Sequence, residues 1–188
     1  MLPRIPHVIG FDDAPFERSH RGDVMLVGIA CAGTRLEGVL SSRIRRDGAN
    51  ATRAVIERVE HSRFRPQLHA VLLQGIAFGG FNVVDIHGLA AAVGLPVLVV
   101  CRHEPDRDRI RQTLLSHVAG GARKWRLIEQ AGPSEPLGGL WVQRAGIDLS
   151  QAAHLLSATT GRGKLPEALR LAHLVAGGVT MGESQSRP

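Results

Sequence analysis

A short apolar segment that ends in two acids is the feature that most constrains this chain. Val8–Phe11 reads as a buried strand, and Asp12, Asp13 and then Pro15 follow it directly. Acids at the exit of such a strand lie where a central sheet meets solvent, and their oxygens can hold a divalent cation. The same acids can also cap a turn or neutralise an arginine. The segment therefore predicts either a metal-dependent phosphoryl-transfer site or a structural loop.

The order of apolar segments along the chain predicts a mixed sheet. Val24–Ala32 is a continuous β-prone run, a glycine turn follows, and Arg35–Arg45 alternates as the second arm of a hairpin. The next predicted segments are a helix from Ala51, a strand at Ala70–Leu73, a helix over Asn82–Val93 and a strand at Pro96–Cys101. Fully apolar strands are typical of parallel pairing. This β-β-β-α-β-α-β order is typical of the ribonuclease H-like arrangement among α/β folds.

The C-terminal half is predicted to add helices around one short strand. Its segments are a helix over Asp106–Ala119, a strand or short helix over Arg123–Gln130, a turn-rich insert over Gly132–Gly139, a strand at Leu140–Gln143, and helices over Asp148–Ser157 and Glu167–Val175. We expect one domain over residues 1–176, because the length suits a single buried core. Residues 177–188 are small and polar, so we expect a flexible tail there.

The basic composition indicates an anionic partner. The formal net charge is +6, and nearly all the positive residues are arginines, which suit bidentate recognition of phosphate. GC-rich coding also produces an arginine excess. Cys31 and Cys101 lie in apolar runs without a CxxC spacing, which is typical of buried thiols in a reducing compartment. The longest apolar run is broken by Gly94 and Pro96, so we expect a soluble cytoplasmic protein without a membrane segment.

Several polar residues near turns and glycines are open to a functional and a structural interpretation. Asp47 precedes Gly48 and is either a metal ligand or a turn residue before the first helix. Asn82 and Asp85 share a face of the predicted second helix, and they could bind a metal, a ribose or a base edge, or cap the helix. The glycines of Gly75–Phe81 either let backbone approach a phosphate or permit tight packing.

Together these motifs resemble the uncharacterised endonuclease V-like family, over nearly the whole chain. The matching stretches are Ile9–Phe16 (IGFDDAPF), Asp47-Gly48, Gly75–Asp85 (GIAFGGFNVVD), Gly94–Val97 (GLPV) and Leu165–His173 (LPEALRLAH). The resemblance implies a ribonuclease H-like fold of the endonuclease V type: a mixed sheet with three antiparallel first strands, flanked by helices. Endonuclease V itself cuts deoxyinosine-containing DNA or inosine-containing RNA with Mg²⁺.

The resemblance also implies roles for individual acids. Asp12 matches the central metal ligand of endonuclease V, and Asp47 falls near the position of a glutamate ligand. Asp13 could add a second negative charge, although neighbouring strand residues point to opposite faces. A chain bend before Pro15 would bring Asp13 to the same side. We therefore predict that Asp12, Asp13 and Asp47 are catalytic and bind Mg²⁺ or Mn²⁺.

Other positions depart from the endonuclease V pattern. Gln74 stands where a second aspartate is expected, Ile147 stands where a histidine is expected, and Arg102 replaces a lysine. The Pro-Tyr-Ile-Pro wedge that opens DNA has no counterpart, so we do not expect inosine specificity. The residues predicted to contact nucleic acid are Gln74, Gly75, Asn82, Asp85, Arg102, Arg170 and His173; on spacing alone, the last two would more often form a solvated face or a helix-end cap.

Three functions follow from these patterns. The leading hypothesis is a nucleic-acid-acting protein that works as a divalent-metal-dependent nuclease with an altered site. The alternative is a non-catalytic module that binds nucleic acid through its arginine-rich surface. A third hypothesis is a small-molecule enzyme or binder that uses a pocket at Gly75–Asp85.

Overall fold

A seven-stranded mixed sheet forms the centre of the computed structural model, which describes residues 3–184. The elements in chain order are β1 (His7–Asp13), β2 (Asp23–Ala32), β3 (Arg35–Arg45), α1 (Ala51–Glu60), a 3₁₀ turn (Arg65–Gln67), β4 (Ala70–Gln74), β5 (Ala77–Phe78), β6 (Asn82–Val83), α2 (Ile86–Val93), β7 (Val97–Cys101), α3 (Arg107–His117), α4 (Gly121–Gln130), β8 (Glu135–Leu137), β9 (Leu140–Ala145), α5 (Leu149–Thr159) and α6 (Glu167–Met181). The strand order in the sheet is β3-β2-β1-β4-β7-β9-β8.

The pairing of the strands follows the predicted pattern. β1, β2 and β3 form an antiparallel meander, and β1, β4 and β7 run parallel at the centre. β9 then pairs antiparallel with β7. The central strands are apolar on both faces because helices cover each side.

The two faces of the sheet are covered by different helices. A Cβ built on Gly10 of β1 would lie 2.9 Å from the Cβ of Ala168, so glycine at this position permits the close approach of α6. On the other face, a Cβ on Gly38 of β3 would overlap the ring of Phe64, which follows α1. Because side chains alternate along β1, even-numbered residues face α6 and odd-numbered residues face the α1 side.

A second, smaller hydrophobic cluster fixes α3 and α4 to the β5–β6 hairpin. Val83, Leu114 and Ile128 form its buried centre, and Trp125 packs against it. Gly121 at the start of α4 lies against the carbonyl of Leu114, where any side chain would overlap that oxygen. The uncertain Arg123–Gln130 segment is therefore helical.

Some predicted boundaries were wrong. The helix predicted over Asn82–Val93 begins at Ile86, and Asn82 instead lies in β6. The turn-rich insert contains β8. The last helix continues to Met181, so residues 177–181 are helical, and residues 185–188 of the predicted tail lie outside the described part of the chain. Within residues 3–184, none of the helices combines the length and apolar character needed to cross a bilayer.

Candidate active site

Asp12 is a buried acid at the end of β1. It is 6% exposed, and its Oδ2 lies 2.9 Å from Nδ1 of His173 on α6. Its other oxygen, Oδ1, accepts a hydrogen bond of 2.9 Å from the backbone N–H of Asp13. Asp12 is even-numbered in β1 and therefore points to the α6 face, which explains how residues 161 positions apart come into contact.

Opposing effects set the protonation of the Asp12–His173 pair. Burial raises the pKa of Asp12, while the hydrogen bond and positive charge of His173 and the charge of Arg102 lower it, with a net shift upward. The hydrogen bond to Asp12 raises the pKa of His173, against the effects of burial and of Arg102. The hydrogen bond between Asp12 Oδ2 and His173 Nδ1 therefore couples the two groups, and they can share a proton.

Gln74 lies beside Asp12 at the same edge of the sheet. The parallel register pairs Gly10 with Leu72 and Phe11 with Leu73, so the next residues, Asp12 and Gln74, are neighbours on the α6 face. The Oε1 atom of Gln74 is buried and accepts no hydrogen bond from the described residues. Buried carbonyl oxygens are normally paired, so this atom is a candidate ligand to something that binds here.

Asp13 lies on the opposite side of the sheet from Asp12. The ladder with β2 continues through Asp13 opposite Leu26, and the N–H of Ala14 donates to the carbonyl of Met25 at 2.8 Å. The strand therefore continues regularly through Asp13, and the predicted bend that would have turned Asp13 toward Asp12 is not formed. Asp13 Oδ2 accepts a hydrogen bond of 2.8 Å from the N–H of Gly79, and burial together with the charge of Asp12 raises its pKa to about 6.

Asp47 binds the other end of the loop over Gly75–Phe81, which we call the glycine loop. Its Oδ1 accepts a hydrogen bond of 2.8 Å from the N–H of Phe81, and its own N–H donates to the carbonyl of Gly79 at 2.8 Å. Asp47 has a positive φ of 50°, which is unusual for a residue other than glycine. Across residues 3–184, no group of three or more His, Cys, Asp or Glu side chains is arranged to hold a metal ion. The structure thus separates Asp13 and Asp47 from Asp12, and metal binding by the three acids stays a prediction.

Asn82 and Asp85 have structural partners. Asn82 is fully buried; its Oδ1 accepts from the N–H of Ala51, and its Nδ2 donates to the carbonyl of Arg45 and to Asn50. Asp85 caps α2 by accepting a hydrogen bond of 2.8 Å from the N–H of Gly88. These contacts favour the capping interpretation, and contact of either residue with nucleic acid stays a prediction.

The remaining predicted positions surround the exit of β4 and one side of α6. Gly75 has a φ of 84° and open space around its Cα. An apolar cavity of about 210 Å³ begins at Gly75 and is bounded by Phe81, Cys101 and Ile110. Arg170 lies one helical turn before His173 and makes an ion pair of 2.5 Å with Glu167.

One residue of interest was missed by sequence reasoning. Lys124 is 5% exposed, and its ammonium group donates to the carbonyl of Asp47 at 2.5 Å. The sequence contains a signal for it, because Lys124 lies four residues before the buried Ile128 and so on the apolar face of α4.

Comparison with known proteins shows the family of this chain. The model of the family described as endonuclease dU matches residues 4–180, and a UPF0215 protein of Deinococcus radiodurans is 56% identical over 186 residues, which cover 97% of this chain and 93% of the relative. The chain belongs to the endonuclease dU family. A solved protein of unknown function from Archaeoglobus fulgidus superposes on this family member with a TM-score of 0.86 at 33% identity, covering 93% of this chain and 98% of that one.

A more distant solved structure shows the fold of this member of the endonuclease dU family. Endonuclease V of Ciona intestinalis, solved in complex with a 24mer DNA that contains an inosine followed by a ribo-adenosine, matches with a TM-score of 0.56. That match has 12% identity and covers 89% of this chain and 82% of the other. The predicted ribonuclease H-like fold of the endonuclease V type is therefore confirmed, as is the predicted membership of an endonuclease V-like family.

Proposed function

We propose that this protein is a divalent-metal-dependent endonuclease that hydrolyses phosphodiester bonds of nucleic acid. Its proposed active site lies at the ends of β1 and β4. The observation that carries the proposal is the unpaired Oε1 of Gln74 beside the carboxylate of Asp12. A carboxylate and a neutral carbonyl oxygen at one sheet edge form a donor set that suits a hard cation. The nuclease-related scaffold supports the same conclusion.

Mg²⁺ or Mn²⁺ fits these residues, and Asp12 and Gln74 would hold it through their side-chain oxygens. When bound, such a cation polarises the phosphate and acidifies a water molecule. One carboxylate with one carbonyl carries less negative charge than two carboxylates, so we expect weak metal affinity. Asp13 and Asp47 have no part in this proposal, because their carboxylates accept hydrogen bonds from the glycine loop.

The side chains around Asp12 supply the remaining chemistry. Arg102 lies close enough to Asp12 and His173 to affect the pKa of both, and its guanidinium can bind a phosphate. Because Nδ1 of His173 is bonded to Asp12, His173 can accept or release a substrate proton at Nε2. This assigns to α6 the proton-transfer role that the buried Ile147 cannot perform.

A pH–rate profile of His173→Gln tests the role of His173. His173 lowers the pKa of Asp12, so its removal should move the acidic limb of the cleavage profile to higher pH. An unchanged profile would show that His173 does not control the ionisation of Asp12. Rescue by added imidazole would indicate a proton-transfer role in addition.

The substrate class is inferred from relatives. The endonuclease V of Ciona was solved with inosine-containing DNA, and the family description names dU. Deoxyuridine-containing DNA is therefore the first substrate to test, with deoxyinosine-containing and undamaged strands beside it. Single-stranded, duplex and RNA versions separate strand preference from base preference.

The test compares cleavage by the native chain with Asp12→Asn and Asp23→Asn, each with Mg²⁺ or Mn²⁺. Asp23 is a matched control, because it is an exposed acid at the start of β2. We expect Asp12→Asn to lose at least about 100-fold in rate, as removal of a charged transition-state stabiliser does, and Asp23→Asn to retain activity. Equal cleavage by both variants, or no cleavage of any substrate, would refute the proposal. Salt-dependent binding without cleavage would instead favour the non-catalytic module.

A further inference from the structure

A second concave site lies between the first turns of α1 and α4, away from Asp12. The cavity measures about 540 Å³, within the range of small-molecule sites. Its apolar wall is formed by Ile56, Val83 and Leu127. It lies on the α1 side of the sheet, whereas Asp12 faces α6.

The cationic side chains of this cavity include a buried one. Arg53 and Arg123 stand at its exposed rim, and Lys124 lines its interior at 5% exposure. The ammonium of Lys124 has three N–H donors, and its hydrogen bond within the described structure goes to the carbonyl of Asp47. Burial lowers the pKa of Lys124, so an anion here would offset the cost of keeping the group charged.

The backbone at the cavity adds unused donors. The residues that precede α1 and α4, Asn50 and Gly120, form no side-chain hydrogen bond to the first turn of their helix. In the described part of the chain, the N–H groups of Thr52 and Arg53 donate to no protein acceptor. Such N–H groups and the helix dipole favour an anion at this end of α1.

The two acids of the cavity are already engaged. Asp47 accepts from the N–H of Phe81 and lies 3.4 Å from Nε of Arg46, and Asp85 accepts from the N–H of Gly88. Neither acid makes a salt bridge with Arg53 or Arg123, whose positive charges remain available at the rim. Arg53 contacts Glu57 at 3.7 Å on the exposed helix surface, a weak pairing that a phosphate can replace.

We propose that this cavity binds a phosphorylated ligand of nucleotide size. The phosphate lies among Lys124, Arg53, Arg123 and the first turn of α1, and the ring lies against Ile56, Val83 and Leu127. The ligand is either a free nucleotide or one nucleotide of a longer strand, which present the same chemistry. This site is independent of the nuclease proposal.

Calorimetric titration in metal-free buffer tests the site with three probes: inorganic phosphate, deoxyuridine monophosphate and a single-stranded hexadeoxynucleotide. The double variant Arg53→Gln/Arg123→Gln removes both rim charges. Arg63→Gln/Arg126→Gln is the matched control, because it removes two exposed arginines that lie outside the cavity. All four positions are on the surface, so folding should be preserved.

We expect the rim variant to raise the Kd of the mononucleotide at least about tenfold, as the loss of charged hydrogen bonds predicts, and the control to change it less than about twofold. If the rim variant alone loses affinity for the mononucleotide, the ligand is a free nucleotide. If it alone loses affinity and only for the hexanucleotide, the ligand is a strand. Equal losses of affinity in the rim and control variants, or no binding of any probe, would overturn the proposal.

Discussion

Replacing Gln74 with methionine should increase stability and abolish activity together. The Oε1 of Gln74 is buried without a hydrogen-bond donor among the described residues, and this arrangement is unfavourable unless something binds it. Methionine has a similar length and shape without the polar oxygen. The substitution should therefore remove a desolvation cost in metal-free buffer, and should also remove one of the two proposed metal ligands.

The magnitudes follow from the burial of this atom. An unsatisfied buried polar group costs about 1–3 kcal/mol, so the free energy of unfolding should rise by roughly 1 kcal/mol in Gln74→Met. For a chain of this length that corresponds to an increase in Tm of about 2–4 °C. The native protein should gain about 1.4 kcal/mol from a cation at ten times its Kd, and the variant should gain much less.

Urea denaturation in EDTA and in excess Mn²⁺ measures both effects, and a cleavage assay accompanies it. Gln74→Glu is the informative companion variant, because it keeps an oxygen and adds a charge that should strengthen the response to Mn²⁺. A Gln74→Met protein that is less stable in EDTA would mean that Oε1 has a favourable partner in solution. Normal cleavage by that variant would exclude Gln74 from the metal site.

Two further predictions concern the acids and glycines of the loop. Burial and the charge of Asp12 raise the pKa of Asp13 from its ordinary value of 3.8 to about 6, so its contribution to stability is fully present below pH 3.8 and is lost as pH rises through 6. The free energy of unfolding of the native protein, minus that of Asp13→Asn, should therefore fall over that window. The fall should be at most about 3 kcal/mol, and less after solvent screening. A difference that does not change with pH would contradict this. Gly80→Ala should destabilise by more than about 1 kcal/mol in thermal denaturation, because Gly80 has a φ of 86° and a Cβ there would lie 2.4 Å from Oδ1 of Asp47. Gly138→Ala is its control, with positive φ but open space, and an equal loss in both would mean that contact with Asp47 is unimportant.

The strand framework could be predicted because its signals are local. The apolar run of β2, the glycine turn and the alternation of β3 define the hairpin within neighbouring residues, and the structure forms it over Asp23–Arg45. The start of α2 was wrong for a non-local reason. Asn82 lies at helical spacing from Asp85, but its side chain bonds Ala51 and Arg45, more than 30 residues away in sequence. Those bonds hold Asn82 in a strand.

The candidate site was only partly predictable for the same reason. The exit of an apolar strand was enough to single out Asp12, whereas sequence spacing alone gave no reason to pair it with His173, 161 residues later. The resemblance to a family supplied that histidine as a site residue. Neither a strand exit nor the family resemblance pointed to the buried Lys124. Its signal in the sequence was its place on the apolar face of α4.

The pleat of β1 explains how adjacent acids can have separate roles. Asp12 points to α6, where His173 and Gln74 lie, and Asp13 points to the opposite side, where it holds the N–H of Gly79. A chain bend would have brought both charges to one site, but it would have broken the ladder with β2 and released the glycine loop. Because the carboxylate of Asp13 binds that loop, β1 supplies no second negative charge in place of the one that Gln74 lacks. In our proposal, therefore, the site depends on one carboxylate, one carbonyl oxygen and a histidine.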